Sequence, residues 1–143
     1  MDAPLYNNEI LRLAASIPYH QRLAEPMASV EKRSPICGSR VTVDINLDDE
    51  GRVAELGLLV RACALGQASS ALMAANAIGK SPGDLTAVRD ALNAWLAGES
   101  DAAPDWPGLG VFTPALAVTA RHPSIRLAFE AAAEAAAAAR ARG

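Results

Sequence analysis

Apolar and polar residues alternate most regularly along residues 41–47. Four apolar residues occupy every second position: Val41, Val43, Ile45 and Leu47. This period of two indicates a strand with one face in the core. Residues 48–51, Asp-Asp-Glu-Gly, have turn chemistry, with Gly51 able to adopt a positive φ, and residues 52–60 become continuously apolar toward their end. Together these features predict an antiparallel β-hairpin.

Two further elements are predicted on the N-terminal side of the hairpin. Residues 5–17 place leucine, isoleucine and alanine near one helical face, and Pro18 ends that pattern. Residues 27–33 fit a short first strand. We therefore expect one helix followed by three strands.

Three helices are predicted after the hairpin. The first begins at or near Cys63 and contains small, helix-favouring residues. The second covers residues 85–96 at amphipathic spacing, with Ser81 or Asp84 as its N-cap, and the third begins at Ser124 as N-cap. The predicted order is α-β-β-β-α-α-α, an α+β fold in which helices cover a small antiparallel three-stranded sheet. Its 143 residues fit a single domain, 1–143.

Charge and composition indicate which classes of binding partner this protein is expected to lack. The chain has 13 Lys and Arg against 16 Asp and Glu, a net charge of −3. Nothing in the sequence gathers Lys and Arg into a patch, so no nucleic-acid partner is expected. The N-terminus shows no basic segment followed by an apolar run, and the alanine-rich end is too interrupted by charge to span a bilayer. We therefore expect no association with a membrane and a cytoplasmic location. We also expect residues 135–143, the end of the last helix, to be frayed.

Two cysteines at the outer ends of the predicted hairpin carry the candidate chemistry. Cys37 precedes the first hairpin strand and Cys63 follows the second, so the hairpin should bring the two thiols side by side. Cys63 also opens a helix, whose N-terminal amides favour negative charge, and Gly38 allows backbone to approach an ion beside Cys37. These features suit a soft-metal or sulfur-handling site. Two buried, inert thiols or a disulfide are the alternative interpretations.

Three segments occur in the order and spacing of a known family. They are residues 5–11 (LYNNEIL), residues 35–39 (PICGS) and residues 63–70 (CALGQASS), the last followed by Gly79-Lys80. They resemble the opening helix and the first and second ligand motifs of the scaffold proteins of iron–sulfur cluster assembly, the IscU, NifU N-terminal and SufU family. This resemblance implies a NifU-like fold over most of the chain.

Two ligand positions of that family differ in this chain. Ser39 stands where the family has an Asp two residues after its first Cys. The family's third Cys is missing from residues 119–129. Alignment on the SufU-type pattern puts Ser124 at that position, and alignment of His122 with the IscU-type His puts Pro123 there instead.

The resemblance implies that Cys37 and Cys63 hold the cargo. It implies a carrier rather than an enzyme, on which a [2Fe–2S] cluster or iron is assembled with a cysteine desulfurase and passed to apo iron–sulfur proteins. His122 is a candidate third ligand, because two Cys and one His suit tetrahedral Zn²⁺ or one edge of a [2Fe–2S] cluster; an exposed, non-ligating His is the alternative. A SufU-like zinc-dependent sulfur acceptor and a metal-free adaptor of the assembly machinery are the other functions that stay open.

Overall fold

Helices pack on a three-stranded antiparallel sheet in the computed structural model of this chain, which describes residues 6–35 and 38–142. In chain order the elements are α1 (Asn8–Ala14), β1 (Ala28–Arg33), β2 (Arg40–Leu47), β3 (Val53–Arg61), α2 (Ala64–Ala77), α3 (Pro82–Leu96) and α4 (His122–Arg142). Two 3-10 helices, Leu109–Ala115 and Thr119–Arg121, precede α4. The predicted α+β class and the predicted order of helices and strands are confirmed.

The predicted hairpin is formed by β2 and β3. In its turn, Asp48 Oδ1 accepts hydrogen bonds from the N–H groups of Glu50 and Arg52, and Gly51 has a φ of +78°. The other edge of β2 pairs with β1, so the strand order is β1-β2-β3. β2 is therefore the central strand, and its register positions the other two.

The inner face of the sheet packs on α2 and α4. Val41, Val43 and Ile45 of β2 have no exposed surface, and neither has Leu58 of β3. α4 crosses β1 and β2, α2 contacts β3 and α4, α1 packs on α2, and α3 packs on α4. Burial of each such side chain contributes about 1.5–3 kcal/mol, so the apolar alternation of β2 is what holds the sheet under the helices.

The outer face of the sheet is covered near its middle by the segment that follows α1. Asp44 of β2 has no exposed side-chain surface, and its Oδ2 accepts a hydrogen bond from Arg22 Nε at 2.7 Å. The N–H of Leu23 donates to the same oxygen at 3.0 Å. Gly57 permits this close crossing, because a Cβ there would lie 2.5 Å from the carbonyl oxygen of Gln21. The buried carboxylate is thus both charge-paired and hydrogen-bonded, as burial of a charge requires.

α3 begins with a capping box. Ser81 Oγ accepts the N–H of Asp84 at 3.1 Å, and Asp84 Oδ2 accepts the N–H of Ser81 at 3.0 Å. The hydrogen bond from the Ser81 amide is the main reason that the pKa of Asp84 is lowered. The two residues predicted as alternative N-caps therefore act together, with Ser81 as the cap.

The start of α4 differs from the prediction. The helix begins at His122, directly after the 3-10 helix Thr119–Arg121, so the prediction of Ser124 as its N-cap is wrong. The 3-10 turn leads straight into the α-helix, and Ser124 lies inside the first helical turn. Sequence capping preferences could not show this, because short 3-10 segments at helix ends carry no strong residue signature.

The segment that the sequence predicts to fray, residues 135–143, belongs to α4 as far as Arg142. The helix continues to Arg142, whose Nη1 donates a hydrogen bond to the carbonyl oxygen of Met27 at 2.9 Å. Three alanines of this stretch are fully buried: Ala135, Ala136 and Ala139. Packing of these small side chains supports the helix in this segment. None of the helices in the described part of the chain has the length and hydropathy needed to cross a membrane.

Asp44 should make the stability of the fold sensitive to acid. Burial alone raises the pKa of this carboxyl, but hydrogen bonds from Arg22, Ser29 and Leu23 together lower it below its ordinary value. Because the folded pKa lies below the unfolded value of about 3.9, the stabilisation is complete above that pH and is lost as the pH falls through the folded pKa. We expect Asp44→Asn to lower the free energy of unfolding by about 1.5–3 kcal/mol at neutral pH, and by less in acid, in urea denaturation.

A matched control is available in the exposed loop after α3. Asp101→Asn removes the same charge from a side chain that is exposed, and it should leave the free energy of unfolding nearly unchanged. A deficit of Asp44→Asn that stays constant from neutral to acidic pH would contradict this account of the ion pair.

Candidate functional site

Cys63 is the N-cap of α2, and Ala62 alone separates it from the end of β3. Its backbone is extended, with φ −67° and ψ 174°, and its side chain makes no capping hydrogen bond. Its carbonyl oxygen accepts the N–H of Gln67 at 2.9 Å, which starts the helical ladder. The cysteine is half-buried. The prediction that Cys63 opens a helix is confirmed, and its sulfur is not used to cap that helix.

Cys63 lies at the positive end of the helix dipole of α2. α2 has 14 residues, and its first turn contains no acidic side chain. The unpaired N–H groups and the positive dipole end of a helix stabilise an anion at this position. A metal-bound or free thiolate at Cys63 would gain from that field.

Residues 34–39, which join β1 to β2 and include Cys37, are called the cysteine loop. The base of this loop lies at the end of the sheet where Cys63 follows β3. The N–H of Ser34 donates to the carbonyl oxygen of Ser39 at 2.8 Å, which closes the base of the loop, and Gly38 has a φ of +71°. The strand register puts this base at the end of the sheet where β3 leads into Cys63. Cys37 itself lies outside the described residues, so the side-by-side arrangement of the two sulfurs stays a prediction.

His122 is buried at the start of α4. Only 4% of its surface is exposed, and its Nε2 lies 2.9 Å from the carbonyl oxygen of Ala115. A carbonyl oxygen can only accept, so Nε2 carries a proton and donates it to Ala115, which leaves Nδ1 as the nitrogen that could bind a metal. Metal-binding histidines commonly make such a bond with the nitrogen that does not bind the metal. The predicted exposed alternative for His122 is therefore wrong, and its role as a ligand stays a prediction.

Ser124 lies against the first turn of α2. A Cβ on Gly66, three residues after Cys63, would lie 3.3 Å from the carbonyl oxygen of Ser124. In the next turn of α2, Ser69 Oγ donates to the carbonyl oxygen of Ile125 at 2.6 Å. These contacts hold the start of α4 beside the start of α2. The position that the SufU-type alignment gives to the third Cys thus packs beside Gly66, which lies about one helical turn after Cys63 in α2.

The donors that the described residues supply are fewer than a complete metal site needs. Within residues 6–35 and 38–142, no three His, Cys, Asp or Glu side chains are grouped so that they could hold a metal ion. Ser39 and Ser124 are both buried, and a serine hydroxyl keeps its proton at neutral pH, which makes it a poor ligand. The described donor set fits one soft ligand, Cys63, with His122 as the candidate for a second.

The fold also forms a basic cluster that the sequence analysis missed. Arg33 of β1 lies opposite Arg40 of β2, and Arg40 lies opposite Arg61 of β3, at one end of the sheet. We call these three residues the arginine row. The expectation that Lys and Arg form no patch is therefore wrong. The three residues are far apart in the sequence, and only the register of both strand pairs could have revealed them.

Comparison with known proteins identifies the family. Residues 5–94, more than half of the chain, match the family model of the NifU-like N terminal domain. The chain belongs to this family. The matched region of the NifU-like chain includes Cys37 and Cys63 and ends before His122 and Ser124.

Solved structures agree with this assignment. The N-terminal part of a nitrogen-fixing NifU-like protein from Brucella abortus is 38% identical to this chain, with a TM-score of 0.90, over 97% of this chain and 96% of that one. A putative iron–sulfur cluster assembly scaffold protein for the SUF system from Fervidobacterium islandicum is similar in fold at 17% identity, with a TM-score of 0.84 and coverage of 92% and 96%. A hypothetical protein at 23% identity has a TM-score of 0.70, with coverage of 90% and 94%. No curated protein matches the NifU-like chain.

Restoring a third thiol should distinguish the two possible alignments. Ser124→Cys introduces a sulfur beside the first turn of α2, which Cys63 caps, whereas Pro123→Cys tests the other register and serves as the matched control. A complete four-ligand zinc site is worth about 10–16 kcal/mol, so one added thiolate should raise zinc affinity by more than about tenfold. We expect this increase for Ser124→Cys and not for Pro123→Cys, measured by competition with a chromophoric chelator. The reverse order would contradict the alignment that places the third Cys at Ser124.

The two histidines of the chain provide a direct test of His122. His122→Asn keeps an N–H donor for Ala115 but removes the imidazole ligand. His20→Asn is the control, because His20 Nε2 only accepts the N–H of Val60 at 3.3 Å beside β3. If His122 is a ligand, its substitution should lower affinity for Co²⁺ by about tenfold or more and change the cobalt absorption spectrum, while His20→Asn changes neither. Equal affinities in both variants would exclude ligation by His122.

Proposed function

We propose that this NifU-like chain assembles or carries a [2Fe–2S] cluster, or iron, on Cys37 and Cys63 and passes it to apo iron–sulfur proteins. Sulfur would come from a cysteine desulfurase. The observation that carries the proposal is Cys63, half-buried at the N-terminus of α2 with a thiol that is not used as a cap. Family membership supports it, since one NifU-like structure is 38% identical over nearly the whole chain.

Cys63 would act as a soft ligand whose charge the helix supports. Thiolate sulfur is the preferred ligand of iron–sulfur clusters. The N-terminal amides of α2 would offset part of the negative charge that sulfide and thiolates bring to the site. Partial exposure would leave the cargo accessible to a recipient protein. We place this activity in the cytoplasm, where reducing conditions keep both thiols free.

Because two family ligands are missing, this site would bind a cluster or iron weakly. Ser39 replaces an oxygen anion of the family pattern, and in the SufU-type alignment Ser124 replaces a thiolate. Neither hydroxyl is a good substitute. His122 could supply a third ligand through Nδ1. Any remaining coordination positions would be open to thiolates of a recipient protein. Such a site suits transfer of a cluster better than long-term storage, and we propose a carrier with no chemistry on an organic substrate.

Removal of Cys63 should abolish cluster formation. After anaerobic reconstitution with iron and sulfide, the wild-type protein should develop the visible absorption of a cluster, with iron and acid-labile sulfide in equal amounts. Cys63→Ala should lose most of that absorption and Ser70→Ala should keep it. Ser70 is a suitable control because it is buried in the same helix and its Oγ donates only to the carbonyl oxygen of Gly66.

The same preparation separates the alternative functions. Protein that retains zinc and refuses a cluster, while its thiols accept persulfide sulfur from a desulfurase, would support the zinc-dependent sulfur acceptor. Protein that binds neither metal nor cluster but still binds a desulfurase would support the adaptor. A cluster that forms equally well in wild type and Cys63→Ala would contradict all roles proposed here for that cysteine.

A further inference from the structure

The arginine row places three positive charges side by side on the outer face of the sheet. Residues directly opposite one another in antiparallel strands project from the same face, and Arg33, Arg40 and Arg61 are opposite one another across all three strands. Like charges at such positions repel and destabilise the sheet. The repulsion among the three arginines therefore lowers the stability of the sheet, and binding of an external anion would offset that loss.

One carboxylate already neutralises part of the row. Glu31 Oε2 lies 3.3 Å from Arg33 Nε, and its Oε1 lies 4.0 Å from Arg40 Nη1. Arg61 is exposed and forms no ion pair with any residue that the structure describes. The row and Glu31 together keep two uncompensated positive charges on a chain whose net charge is −3. The local charge is thus opposite to that of the whole protein.

The surface around the row is concave and open to solvent. A depression of about 530 Å³ is lined by all three arginines together with Pro35 and Gly38, which flank the cysteine loop. A second depression of about 180 Å³ shares Arg40 and Arg61 with the first. It also contains Leu59, 37% of whose surface is exposed. The two depressions together form a groove along the arginine row, with Glu31 and Leu59 in the lining of the second depression.

We propose that the arginine row docks an acidic segment of a partner protein beside the cysteine loop. Glu31 shows that one carboxylate can lie within 4.0 Å of two neighbouring arginines of the row, and a second carboxylate could be placed in the same way beside Arg40 and Arg61. Strands are about 4.8 Å apart, so the row spans roughly 10 Å, and an extended segment would cover it with three or four residues. Arginine binds carboxylates with two parallel hydrogen bonds. The contact is therefore specific in its orientation as well as favourable in charge.

An acidic protein fits this surface better than a nucleic acid does. The row is short, and a nucleic acid would extend beyond it onto a chain with more acidic than basic residues. Leu59 adds an apolar contact that a protein segment can use. The inference does not depend on whether Cys37 and Cys63 bind a cluster, so its failure would leave the proposed carrier function untouched.

Binding of a defined acidic peptide tests the docking surface. The probe is a fluorescently labelled peptide of about eight residues that alternates glutamate and alanine, long enough to span the row. Its control carries the same label with glutamine in place of glutamate. The wild-type protein should bind the glutamate peptide and not the glutamine peptide, in fluorescence anisotropy at low salt. Binding should weaken as ionic strength rises above about 0.1 M.

Substitutions identify the arginines as the binding residues. Arg40→Gln and Arg61→Gln should each weaken binding roughly two- to fivefold, and the triple variant that includes Arg33→Gln should lose it. Arg140→Gln, at an exposed position on α4 near the turn between β2 and β3, removes the same charge and should leave binding unchanged. The thermal midpoints of the single variants should stay the same or rise, because each removes a like-charge contact.

Several outcomes would overturn the proposal. It fails if the peptide does not bind, or if the triple variant binds as well as the wild type. It also fails if a single-stranded oligonucleotide of equal charge binds the row more tightly than the peptide, which would assign the surface to nucleic acid. If the triple variant does not fold, amide shifts of the ¹⁵N-labelled wild-type chain decide the question. Peptide-induced shifts should fall on the ends of the three strands that carry the row, and shifts elsewhere would refute the docking site.

Discussion

The register of the central strand β2 is the constraint on which the rest of this structure depends. β2 is buried on both faces, by helices α2 and α4 on the inner side and by the segment after α1 on the outer side. A shift of one residue would exchange its two faces. It would move Val43 out of the core and Asp44 into it, so the pattern of the strand allows one alignment.

That alignment arranges the candidate site at one end of the sheet. It closes the loop between β1 and β2 through the bond from Ser34 to Ser39, and it ends β3 at the same side, where Cys63 begins α2. The start of α4 is then packed on the first turn of α2, with Ser124 against Gly66. Of the family's ligand positions, the described residues therefore show Cys63 at the start of α2 and Ser124 packed beside the first turn of the same helix.

The same alignment distributes charge unequally over the outer face. In the middle of the sheet, Arg22 covers Asp44, and Gly57 leaves room for the backbone that carries it. At the end of the sheet next to Cys63, the arginine row remains at the surface, and Glu31 neutralises part of its charge. An isolated buried charge destabilises the fold and must be paired within it. An exposed charge is solvated by water, so it is free to bind a partner molecule. This difference separates the structural ion pair from the candidate docking surface.

The sequence by itself determined the helices, the strands, their order and the helix that opens at Cys63, because apolar periodicity, turn residues and capping residues act over a few neighbouring positions. Family resemblance also predicted where ligands are missing, at Ser39 and at either Ser124 or Pro123. Only the tertiary structure decided that Asp44 is buried under Arg22, that Ser124 lies against α2 and that the arginine row exists. These features join segments that are distant in the chain, and their geometry depends on strand register and helix packing, which no local pattern encodes.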